Sequence, residues 1–262
     1  MNPTTIKIKI GEQGAQFLQR NNLPSKGHIN KQPAGLNFYK VDWSTKAQGT
    51  VTLEHGPYSF QIPFVLGVTG TENVDFMEVG LTSFDVYAGI TAADTVHHDE
   101  ARKEFIKLLQ HLLALGWKPL ISYNYPRLTA EQAFQYFEED TTYGITPTYT
   151  PNLEQWMRID YDGWYLYADD VFLEINFRRG VESKDPSMQA YLFSFDIHSK
   201  EQEAKAQFEG DDKNHWQDLW VDKIKAMKKE RYAKEKALNQ RGCTIYTDYQ
   251  EPKIHPLDPV EP

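Results

Sequence analysis

WYLYADDVFLEINFRR, residues 164–179, is the stretch whose reading decides the fold. Trp164 and Leu166 alternate with Tyr165 and Tyr167, and Val171, Leu173, Ile175 and Phe177 recur at every second position. A period of two belongs to a β-strand, whose side chains point to opposite faces in turn. Asp169-Asp170 between the two runs supplies turn residues, so the stretch predicts an antiparallel hairpin. Trp164, Leu166, Val171, Leu173 and Ile175 then form one buried face.

Working outward, AYLFSFDI (190–197) reads as a third strand. The first ninety residues are also β-rich: Ile6, Ile8 and Ile10 alternate with polar residues, and GLNFYKVDW, TVTLE, YSFQIPFVLGV and LTSFDVYA follow, separated by Gly and Pro. A short helix is predicted at Gln13 to Gln19 and a loop from Asn21 to Gly35. WKPLISY (117–123) reads as a strand.

Helical signals appear in four other places. Ala101, Phe105, Leu108, Leu109, Leu112 and Leu115 line one stripe of a helix that starts near Asp94 or Thr95 and stops at Gly116. TAEQAFQYF has capping-box spacing at Thr129 and Gln132, and a short helix follows from Asn152 through Trp156. Trp216, Leu219, Trp220, Ile224 and Met227 open a long helix running to Gln240, whose second half, KKERYAKEKALNQ, reads as a solvated face projecting from the core. These elements predict an α+β fold of antiparallel sheets, in two layers with helices packed against them, and two abutting lobes. The lobes are a β-rich one over 1–92 and an α+β one over 93–252 carrying the long helix; a Pro-rich tail, 253–262, is expected to be extended or disordered.

The charge of −9 opposes nonspecific attraction to nucleic acid or an anionic membrane and favours a basic partner. From Lys213 to Arg241 nine Lys/Arg stand against four Asp/Glu, but no nucleic-acid-binding motif accompanies them. Cys243, the one cysteine, cannot form an internal disulfide. No apolar run approaches the ~20 residues of a membrane span. The expected location is the cytoplasm as the chain is written, or the periplasm if a leader has been removed.

His97-His98-Asp99-Glu100 is the densest run of potentially catalytic residue types. A metal site on a helix needs ligands three or four residues apart, and His97 and His98 have no such histidine partner, so the run reads as a helix start. Asp160, Asp162, Asp169, Asp170 and Glu174 lie near Trp164, Tyr165 and Tyr167, whose rings can stack on a sugar; a glycosidase requires two carboxylates flanking the scissile bond. Gly-x-Ser-x-Gly, phosphate-loop and dinucleotide signatures are missing, and no cofactor or metal is implied.

LGWKP, YPRLTAEQA, PNLEQWM, the 164–179 stretch, AYLFSF and the helix running through ERYAKEKALNQRG together resemble proteins of type VI secretion effector and immunity loci, over roughly residues 80–252. The resemblance implies a non-catalytic immunity protein that binds and neutralises a cognate effector toxin. No family motif assigns the contact residues. The aromatic and acidic positions Tyr161, Asp162, Tyr165, Tyr167 and Asp169 are the candidate interface. The alternative is a carbohydrate-active enzyme or carbohydrate-binding module using the same patch.

Overall fold

The computed structural model describes residues 2–33, 35–180 and 184–259. In chain order the strands are β1 (Thr5–Ile8), β2 (Ile29–Lys31), β3 (Leu36–Asp42), β4 (Gly49–Leu53), β5 (Phe60–Asn73) and β6 (Leu81–Ala88). They continue as β7 (Val96–His97), β8 (Lys118–Pro119), β9 (Trp164–Ala168), β10 (Val171–Arg179), β11 (Met188–Gln189) and β12 (Tyr191–Ser199). The helices are α1 (Gly14–Arg20), α2 (His98–Ala114), α3 (Ala130–Glu139), α4 (Leu153–Arg158), α5 (Lys200–Ala206) and α6 (Trp216–Gln240).

The fold is α+β. The predicted hairpin forms with a two-residue turn: Ala168 pairs with Val171, Leu166 with Leu173 and Trp164 with Ile175. All five residues of its expected face are buried. In place of two sheet layers, ten strands join in one sheet ordered β1-β4-β5-β6-β12-β10-β9-β8, with β3 on β5 and β2 outside β3; β7 and β11 form a separate pair. The β6–β12 pairing carries this sheet across residue 92.

Continuity depends on β5. Its second half pairs with β3, Leu36 opposite Asn73 through Asp42 opposite Gly67, and its first half pairs with β4, Val51 opposite Ile62 and Leu53 opposite Phe60. Between them Pro63 and Phe64 oppose the single residue Thr50, a bulge that places the proline, which has no N–H to donate, outside the regular ladder. Phe64 there has φ +56°. The free edge of β1 is closed by Asn21, whose side chain accepts from Lys7 N at 2.8 Å and donates to Lys7 O at 2.9 Å.

One face of the sheet carries the main core. Phe105 of α2 packs edge-on to Trp164 at 4.5 Å between centroids and stacks on Phe193 at 5.1 Å, while Trp156 of α4 stacks on Phe177 at 4.5 Å. Helix α2 begins at His98, later than Asp94 or Thr95, because His97 still pairs with Met188 between β7 and β11. His98 then accepts or donates at Tyr191 Oη (2.8 Å) and bonds Pro186 O (3.0 Å), so it pins a loop to the sheet. Asp99 pairs with Arg102 and Lys103.

A second core lies on the opposite face, where Tyr167 and Phe172 of the hairpin meet Ala204 of α5 and Trp216, Trp220 and Ile224 of α6. Helix α6 does not project. Its apolar stripe continues as Lys228, Arg231, Glu235 and Leu238, all buried. Each charge has a partner: Arg127 grips Glu235 with two bonds of 2.8 and 2.9 Å, Lys228 pairs with Glu251 at 2.6 Å, and Arg231 pairs with the same Glu251. Arg231 also donates to Tyr125 O (2.9 Å) and Ser122 O (2.8 Å). The carbonyls of this segment therefore serve a guanidinium, and only Lys118–Pro119 of the predicted WKPLISY strand pairs as β8.

The proline-rich tail packs back on α6. Ile254 is buried, Trp220 Nε1 donates to Asp258 at 2.5 Å and Lys228 Nζ donates to Pro259 O at 2.9 Å; Val260 to Pro262 lie outside the described residues. The capping box forms at α4, between Asn152 and Gln155, rather than at α3. Thr129 makes no side-chain cap bond, and Gln132 instead accepts from Thr244 N at 3.0 Å. Within the predicted loop at 21–35, β2 pairs with β3.

Candidate functional site

Alternation along three strands places their polar positions on the face opposite the main core. Register then aligns them: Asp85 of β6 faces Asp196 of β12, Asp196 faces Glu174 of β10, and Glu174 faces Tyr165 of β9. Facing Cβ atoms on neighbouring strands stand about 5 Å apart, and like charges placed so are destabilising. Three carboxylates thus form one row across three adjacent strands, continued by Tyr165 on a fourth.

The row floors two hollows of roughly 360 and 390 Å³, both lined by Glu174 and Asp196. One runs toward Tyr125, Tyr165 and His198, the other toward Asp85, Tyr87, Tyr161 and Arg178. Helices α5 and α6 cover the sheet at Phe172, which is 1% exposed, but exposure rises along the strands to 42% at Tyr87 and 38% at Leu192. That part of the sheet face is open.

His198 is the cation nearest the row. It bonds Asp196 and Glu203 at 3.0 Å each. Burial disfavours its charge, yet the bonds to the two carboxylates outweigh burial and raise its pKa to about 9. Asp85 and Glu174 are pushed above the usual carboxylate range, first by burial and then by the charge of Asp196. Tyr165 is raised by burial and by the neighbouring Glu174.

Two expected outcomes follow from these shifts. The folded pKa of His198 lies above its ordinary 6.5, so its ion pairs contribute fully below about pH 6.5 and lose their contribution as pH rises through about 9. Denaturant titrations of wild type and His198→Asn from pH 6 to pH 10 should therefore converge toward the alkaline end. Glu174→Gln and Asp85→Asn remove crowded negative charge and should each raise the thermal midpoint at pH 7, by a few degrees. A drop in midpoint for both would mean that the row is stabilising as it stands.

The candidate interface residues divide. Tyr161 is exposed, with φ +68°, and Arg178 lies over its ring at 4.0 Å. Asp162 is half-buried beside it in sequence, raised by burial, and accepts from Asp160 N at 3.2 Å. Tyr165 lines the groove. Tyr167 is 5% exposed, stacks on Phe172 and donates its hydroxyl to Gln250 O at 2.6 Å, so burial removes it as a contact. Asp169 is exposed in the hairpin turn at φ +49°, away from the row, and lines a different hollow with Tyr58 and Lys200. Asp85, Tyr87, Arg178, Asp196 and His198 join the site through strand pairing, and Glu203 joins it from α5 through His198. Their sequence signal is a charge in the middle of an alternating strand, as in LTSFDVYA and AYLFSFDI.

Among the described residues no group of three His, Cys, Asp or Glu is arranged to hold a metal ion, and no helix is long and apolar enough to cross a membrane. Comparison with protein-family models, curated proteins and solved structures finds no match.

Proposed function

We propose that this chain is a non-catalytic immunity protein that binds and neutralises a cognate antibacterial effector toxin. The observation that carries the reading is the uncovered sheet face, where the exposed Tyr87, Tyr161 and Leu192 stand beside an acidic row. Exposed aromatics on a rigid sheet are the material of binding hot spots, and surplus charge of one sign selects a partner of the other and speeds its approach. Rigidity matters because a preorganised surface loses little entropy on binding.

The test is co-expression with the toxin gene adjacent to this chain's own gene. Cells should survive only when the chain is present, and the two purified proteins should form a stoichiometric complex. Neither protection nor binding would overturn the reading.

A carbohydrate-active site is the second reading, favoured by one specific observation. Glu174, with its raised pKa, faces Asp196 on the next strand, and a glycosidase needs two carboxyl groups flanking the scissile bond. Turnover of an aryl glycoside, lost in both Glu174→Gln and Asp196→Asn, would establish that reading instead.

A further inference from the structure

We infer that the open face of β6, β12 and β10 receives an extended basic segment of the partner protein, with a lysine or arginine side chain seated over the carboxylate row and apolar side chains against Tyr87 and Leu192. The inference deepens the immunity reading by naming what the partner presents. Charge complementarity carries it. Asp85 faces Asp196 and Asp196 faces Glu174, so the sheet sets three acids in register where like charges repel.

Within the chain only part of that charge is answered. His198 serves Asp196 and Glu203 from the covered end. At the open end Arg178 is turned onto the ring of Tyr161, which shows the rim already stacking a guanidinium. A cation entering between them meets carboxylates already partly desolvated, where an ion pair is worth more than at a free surface. The apolar part of the face matches an extended chain, whose alternate side chains point down at every second residue. Tyr87 faces Ser194, and Leu192 faces Arg178, so apolar contacts lie two and four residues along the strands from the acidic row, on its open side.

The experiment needs no toxin. The ¹⁵N-labelled full chain is titrated with a capped Thr-Lys-Thr-Arg-Thr peptide, a Thr-Glu-Thr-Glu-Thr peptide, and spermidine. Saturable amide shifts are expected at Asp85, Tyr87, Glu174, Ser194 and Asp196 with the basic peptide alone, weakening as salt is added. Glu174→Gln and Asp85→Asn should each weaken binding by roughly threefold to fivefold, the scale of one partly exposed ion pair. Asp169→Asn, in the distant turn, should leave it unchanged, and dispersed spectra of each variant show that it is folded. Shifts that do not saturate, that fall elsewhere, that follow the acidic peptide equally, or that appear only with spermidine would overturn the inference. Protection against the toxin would still be decided by co-expression, so failure of this site and failure of the immunity reading are separable.

Discussion

Arg231→Ala should lower the unfolding free energy by about 3–5 kcal/mol, the scale for breaking a buried ion pair from one side. The Arg231 side chain is fully buried, and four groups depend on it: the carbonyls of Ile121, Ser122 and Tyr125, and the carboxylate of Glu251. Alanine leaves all four without that donor in a space water reaches poorly. The consequence extends along the chain, because Glu251 also holds Lys228, which in turn holds Pro259 O. Urea unfolding of the variant beside Lys229→Ala is the check. Lys229 is an exposed neighbour and should change stability by less than about 0.5 kcal/mol. Equal effects would mean that α6 stands away from the core.

Trp164→Ala should cost about 3–5 kcal/mol, as other buried large aromatics do. The indole is 0% exposed and has ring neighbours on three elements: Phe105 of α2 at 4.5 Å, Trp156 of α4 at 6.3 Å and Phe177 of β10 at 5.9 Å. Removing it opens a cavity where α2 meets the hairpin. Its buried N–H has no hydrogen-bond partner among the described residues, so Trp164→Phe loses volume but no polar contact and should cost less than the alanine. Thermal unfolding of the two variants measures the difference, and equal midpoints would show that packing around this ring is not what stabilises the hairpin.

The hairpin and α2 were legible in the sequence because each buries an apolar set with a clean period, two in Trp164 to Phe177 and three to four in Ala101 to Leu112. The second half of α6 was not. Lys228, Arg231 and Glu235 keep the helical stripe going, but charged side chains signal solvent unless their partners are known, and those partners, Arg127 and Glu251, lie far along the chain. The tail misled for the same reason: three prolines imply an extended chain, and nothing local shows that Asp258 will meet Trp220. A third of the site was visible as Tyr161, Tyr165 and Glu174. Asp85 and Asp196 were not, since register between distant strands is fixed by the whole sheet and not by either segment.

The open sheet face as the place of partner binding is tested most directly by hydroxyl-radical footprinting of the free chain and of its complex with the toxin. Tyr87, Tyr161 and Leu192 should be labelled in the free protein and protected in the complex, while Tyr167 and Phe172, covered by α5, α6 and the tail, stay unlabelled in both. A stable complex in which Tyr87, Tyr161 and Leu192 are labelled as strongly as in the free chain would contradict the account.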